Sequence, residues 1–252
     1  MRTLSQSLNR ALDVLYAAAE KPVSINDVAE LLNVHPTTAS RTLQTLQSRR
    51  FMKQNRDGKY QLGSGIVWLA NCAQEQMDLR EIAAPLLKKL SQETSETIHL
   101  AALENERVVY IDKIDSKHSV RIYSRTGALA RTHCSAVAKA IVAFSASQLQ
   151  DALIAQCDFH GFTPHTIRDE FQLREEFQRT IERGYALDIE ERESGIQWIA
   201  APVFNSSGQP FAAIGISTLT SRVSKEDLLG FEPNLRSITV ELSELMGYTP
   251  KS

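Results

Sequence analysis

Ser24-Ile25-Asn26-Asp27-Val28-Ala29-Glu30-Leu31-Leu32-Asn33-Val34-His35-Pro36-Thr37-Thr38-Ala39-Ser40-Arg41-Thr42-Leu43-Gln44-Thr45-Leu46 reads as two short helices around a tight turn. Ser24 stands three residues before Asp27, the spacing of a capping box, in which each side chain satisfies the other's backbone N–H at a helix start. Val28, Ala29 and Leu32 then share one face. Asn33-Val34-His35 leaves room only for a turn, and Pro36 suits the first turn of a new helix, where its missing N–H costs nothing. In that second helix Ala39, Leu43 and Leu46 point inward. Thr37, Thr38, Ser40, Arg41, Gln44 and Thr45 remain outside; all can hydrogen-bond and none is acidic. This is the sequence form of a helix-turn-helix whose second helix fits a DNA major groove. Arg41 and Gln44 are the side chains suited to guanine and adenine edges. The plainer alternative is a small helical domain with a solvated face.

Outward from this motif, Leu8, Leu12, Leu15 and Ala19 recur at helical spacing, so residues 7–20 form a preceding helix that Lys21-Pro22 ends. On the other side, Phe51-Met52-Lys53-Gln54 and Lys59-Tyr60-Gln61-Leu62 flank Asn55-Arg56-Asp57-Gly58. An Asp-Gly between short alternating runs signals a hairpin, here a basic wing carrying Arg56 and Lys59. Gly63 and Gly65 mark a hinge where the wing ends. Residues 1–60 hold nine Lys and Arg against five Asp and Glu, a net of +4; the remainder holds 19 against 25, a net of −6. A basic head on an acidic body fits nucleic-acid binding by the head alone. Ser5, Ser7, Arg10, Arg56 and Lys59 are expected on phosphates; Thr37, Thr38, Ser40, Arg41, Gln44 and Thr45 are expected along the groove.

At 252 residues the chain exceeds one average domain. The division expected is a winged helix-turn-helix over 1–68, linker helices over 69–94 (62–76 and 79–93 both read as helical), and a ligand-binding domain over 95–252. In the last, 98–103 and 108–112 read as hairpin strands and 120–124 as a third. Residues 135–144, 149–155 and 169–183 read as helices, and 198–203 and 211–218 as two more strands. Ser224 with Asp227 caps a final helix striped by Leu235, Ile238, Leu242 and Leu245. The expected class is α+β, an antiparallel sheet with helices packed on one side. Nothing at the start resembles a signal peptide, no apolar run approaches the ~20 residues a bilayer requires, and the three cysteines are scattered. A cytoplasmic protein without membrane partners is therefore expected.

The head, including Ser5-Gln6-Ser7-Leu8-Asn9-Arg10-Ala11-Leu12, resembles the winged helix of IclR-type regulators. The body is similar to that family's effector domain at Thr132-His133-Cys134-Ser135-Ala136-Val137-Ala138-Lys139-Ala140, at Arg183-Gly184-Tyr185 with Glu190-Glu191, and at Ile199-Ala200-Ala201-Pro202-Val203-Phe204. The resemblance implies a GAF-like effector domain and homodimers, alone or paired into tetramers. It also implies binding to double-stranded operator DNA, and repression of a catabolic operon relieved by a metabolite. It places Ser135, Ala136 and Val137 at a helix start whose N–H groups can hold a carboxylate, and Asp188, Trp198, Gly215 and Ser217 on the pocket wall. Two departures stand out: Ala138-Lys139-Ala140 replaces the usual Gly-Lys-Ala, and Trp198 occupies a place usually given to a smaller residue. Thr97-Ile98-His99-Leu100, residues 110–116 and Arg121-Ile122-Tyr123-Ser124-Arg125 look like the branch answering to sugar acids; aromatic and short keto acids are the other ligand classes open.

Two other functions compete. His133, Cys134 and Asp188 make a nominal Cys/His/Asp set, but sequence neighbours rarely oppose one another in space and no nucleophile motif surrounds them. A metal sensor could draw on His99, His118, His133, His160, His165 and the run Asp188-Ile189-Glu190-Glu191, yet no spacing among them matches a ligand pattern. The expectation is a regulator without enzymatic activity, cofactor or metal.

Overall fold

A computed structural model of the chain describes residues 5–118 and 125–249, and the strand expected at 120–124 lies outside them. Two compact units divide after Met77.

In the first unit, α1 (Gln6–Glu20), α2 (Ile25–Leu32) and α3 (Pro36–Ser48) precede a hairpin of β1 (Met52–Gln54) and β2 (Tyr60–Leu62), and α4 (Ser64–Gln76) follows. The capping box forms: Ser24 Oγ accepts from Asp27 N at 3.1 Å, and Ser24 N donates to Asp27 Oδ2 at 2.7 Å. Asn33 ends α2 in the left-handed conformation, so the chain reverses at once into α3. Val28, Ala29, Ala39, Leu43 and Leu46 bury together with Val14 and Ala18. Here α1 departs from expectation. Leu8, Leu12 and Ala19 face solvent, and Ala11, Val14, Leu15 and Ala18 carry the packing. Apolar residues occupy most of this helix's circumference, so spacing alone fits two faces and packing selects one. Val23 adds a bridge to Tyr60 at the edge of the wing, with N–O distances of 2.8 and 2.7 Å. Gly63 and Gly65 are not a hinge. A Cβ on either would lie 2.4 and 2.9 Å from the Arg50 carbonyl oxygen, which instead accepts from the Gly65 N–H at 2.8 Å. The two glycines admit close backbone contact.

The second unit is a five-stranded antiparallel sheet in the order β4-β3-β7-β6-β5, from β3 (Thr97–Glu104), β4 (Arg107–Ile114), β5 (Ala186–Ile189), β6 (Ile196–Phe204) and β7 (Pro210–Leu219). Helices cover both faces, not one. Ala101, Trp198, Ala200 and Ala213 pack under α6 (Ala136–Ala143), α7 (Ser147–Ala155) and α8 (Glu170–Arg183). Ile98, Leu100, Ile199, Ala201, Ile214 and Ile216 pack against α5 (Leu79–Thr94), α9 (Lys225–Gly230) and α10 (Glu232–Leu245). The strand residues 198–203 are apolar on both alternate sets, as a sheet buried on two sides requires. The segment capped by Ser224 is two helices divided at Phe231, and Leu245 at the end of the expected stripe is exposed. Helix α5 belongs to this unit, with Ala83, Leu86, Leu87 and Leu90 in its core.

Candidate nucleic-acid interface and ligand cleft

On α3, Thr37, Thr38, Arg41, Gln44 and Thr45 are exposed and Ser40 is half-buried, while Ala39, Leu43 and Leu46 are buried beneath them. His35 caps the helix through Nδ1, 3.3 Å from Thr37 N and 3.0 Å from Thr37 Oγ1. Thr45 Oγ1 donates to the Arg41 carbonyl at 2.8 Å. A shallow groove of 280 Å³ brings Ser7 of α1 beside Thr38, Arg41 and Thr45, with Thr42 as a neighbour absent from the sequence expectation. Ser5 is exposed and Arg10 half-buried at the start of α1. Arg56 and Lys59 are exposed on the wing turn, outside that groove. Asn55 shapes the turn, its Oδ1 accepting from Asp57 N and Lys59 N at 3.1 and 2.9 Å. The result is an outward polar and cationic helix face with a basic turn: groove reading and phosphate contact are what such a surface can do.

In the second unit, β pairing aligns Asp188, Trp198, Ser217 and Thr97 across four strands, with His99 opposite Gly215 in the next row. The Trp198 ring lies tilted against that of His99, centroids 4.3 Å apart at 38°, and its centroid is 6.2 Å from that of Tyr110. His99 Nε2 is 3.0 Å from Ser217 Oγ. Burial, then the nearby Lys113 charge, depresses the His99 pKa to about 3, so the ring is neutral. Above this floor a cleft of 410 Å³ is walled by Tyr110, Arg125, Arg131, Ser135, Arg192 and Trp198. Ser135 caps α6 without bonding the helix's first turn; its Oγ is 3.2 Å from the Tyr110 hydroxyl. Of the residues expected to hold a ligand, Ser135 and Trp198 line this cleft. Ala136, Val137, Asp188 and Ser217 are buried and, like Gly215, lie outside its lining. Arg131 and Arg192 were not anticipated; Tyr110 and Arg125 fall in the stretches read as marking the sugar-acid branch, without a role of their own. Arg125 and Arg131 stand on one irregular segment and Arg192 on another, distant in the chain, where no periodicity marks them.

Beneath the cleft sits a buried ionic network. Lys139 has no exposed surface and donates to both Glu191 oxygens at 2.6 and 2.7 Å, with Glu176 at 3.8 Å. Asp188 Oδ1 accepts from Glu191 N at 2.7 Å. Burial, reinforced by the Glu191 charge and opposed by Lys139, pushes the Asp188 pKa up to about 7. Cys134 is wholly buried, and burial followed by the Asp188 charge raises its thiol to about 12, so no thiolate is available for catalysis. His133 turns away from Ser135's cleft, with Nε2 3.1 Å from the His160 carbonyl. Among the described residues no cluster of His, Cys, Asp and Glu could hold a metal, and no helix is long and apolar enough to cross a membrane.

Comparison with known proteins adds to this geometry. Residues 7–56 match the IclR helix-turn-helix domain, and residues 72–244 match the family described as bacterial transcriptional regulator IclR C-terminal. The chain is 35% identical over 246 residues to the HTH-type transcriptional regulator XynR of Escherichia coli K12, covering 96% of this chain and 98% of that one. It is 32% identical over 244 residues to the regulator KdgR of Dickeya chrysanthemi, covering 96% and 80%. Among solved structures, Thermotoga maritima IclR aligns with TM-score 0.65 and 27% identity over 96% of this chain and 99% of that chain. The C-terminal domain of E. coli KdgR aligns with TM-score 0.62 and 32% identity over 68% and 100%.

Proposed function

The chain belongs to the IclR family of bacterial transcriptional regulators, and from that premise we propose that it represses a catabolic operon and releases it when a sugar acid enters the cleft beside Ser135. It is a DNA-binding regulator with an effector-binding domain, not an enzyme. The observation that carries the DNA side is the α3 face. Five hydrogen-bonding side chains stand exposed over a buried apolar seam, with none of them acidic. In a homodimer two such helices would enter successive major grooves, roughly 34 Å apart on a near-palindromic site. The exposed Leu8, Leu12, Tyr16 and Trp68 are apolar surface of the kind a dimer covers.

On the effector side, three arginines suit an acid group, while the Tyr110 and Ser135 hydroxyls suit a polyol chain. Ligand binding then shifts an equilibrium between arrangements of the two DNA-binding heads, because it favours only one of them. Genome-wide mapping of bound sites followed by anisotropy titration of the recovered duplexes tests the proposal. Tight binding at low salt, weakened by saturating aldonate, is expected. Indifference to every duplex at low ionic strength defeats the DNA reading. An operator affinity unmoved by an aldonate that calorimetry shows to be bound defeats the coupling.

A further inference from the structure

The Arg192 guanidinium makes no hydrogen bond or ion pair among the described residues; it lies over an aromatic ring, Cζ 3.7 Å from the Phe162 centroid. Arg131 approaches the same ring, with Cζ at 5.2 Å, and pairs with Asp158 at 2.8 Å. Cation–π contact fixes where a guanidinium sits without neutralising it. Asp158 already compensates Arg131, so the charge left without a counter-ion at this ring is that of Arg192, which an anion in the cleft would neutralise. The segment bearing Phe162 is itself pinned to the turn that carries Arg192. Thr163 Oγ1 donates to the Glu190 carbonyl and Thr166 Oγ1 to the Glu191 carbonyl, both at 2.6 Å. Both guanidiniums line the cleft that contains Tyr110, Ser135 and Trp198. The rival anchor is the start of α6, but Ala136 and Val137 there have no exposed surface.

We propose that Arg192, positioned by Phe162 and assisted by Arg131, holds the acid group of the effector, whose hydroxylated chain runs toward Trp198 and the Tyr110–Ser135 pair. This assignment rests on the sugar-acid reading above. It makes Arg192 the residue by which the cleft separates acids from neutral polyols, and Phe162 a positioning residue.

Calorimetry on the full chain with five- and six-carbon aldonates and the matching neutral aldonamides tests it. Wild-type protein should bind an aldonate about tenfold or more tighter than its amide, the discrimination expected of a charge-assisted pair. In Arg192→Ala the preference should fall to near unity with amide affinity kept. Arg192→Lys should restore part of it, and Phe162→Leu should reduce it without lowering the melting temperature by more than a few degrees. An Arg192→Ala protein that keeps the full preference overturns the assignment while leaving the sugar-acid reading intact. Failure of the wild type to bind any aldonate or amide overturns both.

Discussion

Arg41 and Lys59 are two exposed cations on one small domain, and we assign them different tasks. Arg41 projects from the middle of α3 among threonines and Gln44, whereas Lys59 stands at the wing turn. A bidentate arginine on a base edge discriminates by about 1–3 kcal/mol, while a phosphate contact contributes charge alone. Arg41→Ala should therefore weaken operator binding by about 1–3 kcal/mol and relax preference at one position, as read by binding-site selection. Lys59→Ala should weaken all sequences alike and reduce the log–log salt slope by about 1; a slope equal to wild type removes Lys59 from the phosphate contacts. The exposure of such side chains was legible in the sequence because their neighbours made it so. Ser24, Asp27 and Pro36 fix both helix starts, and Ala39, Leu43 and Leu46 then dictate which side chains face out. No such frame surrounds Arg192 or Arg131, whose place depends on chain folding over long separations.

At the level of elements, the seam between α6 and β7 is set by the absence of one side chain. A Cβ at Gly215 would fall 2.7 Å from Val137 Cγ1, and Trp198 and Ala200 close the remaining sides at 3.6 Å. Gly215→Ala forces a branched core side chain to move and should cost about 1–3 kcal/mol of stability in urea unfolding. Pairing with Val137→Ala tests the cause: the double variant should show a smaller loss than the sum of the two singles. Sequence reading places Gly215 on the pocket wall through the family resemblance; the coordinates give it a packing role. The error over helix layers has a similar origin. Ile199-Ala200-Ala201-Pro202-Val203 has no polar alternation, and a run of that kind signals a strand covered on both faces. The first helix misled in the opposite way, offering apolar residues on more sides than one core can take.

Across the molecule, the buried charges under the cleft tie stability to pH. Asp188 has its pKa raised from 3.8 to about 7 by burial and by Glu191, so the folded chain binds this proton more tightly than the unfolded chain. Its stabilising contribution is complete below about pH 4 and is lost as pH climbs toward 7. Relative to Asp188→Asn, wild-type stability should thus decline between pH 4.5 and 8, by on the order of a few kcal/mol. Urea unfolding of both proteins across that range measures the difference, and parallel curves would exclude an uptake of this proton on folding. The comparison cancels carboxylates shifted the other way, such as Asp27, lowered by its bonds with Ser24, and Asp158, lowered by His160 N–H and Arg131.

The glycines past the wing have a mechanical corollary. With Gly65 N–H bonded to the carbonyl of Arg50, two residues beyond the end of α3, and Gly63 too close to admit any substituent, α4 starts welded to the tail of the groove-facing helix. A twist applied to α4 reaches that helix with no slack to absorb it, so the two turn as one lever.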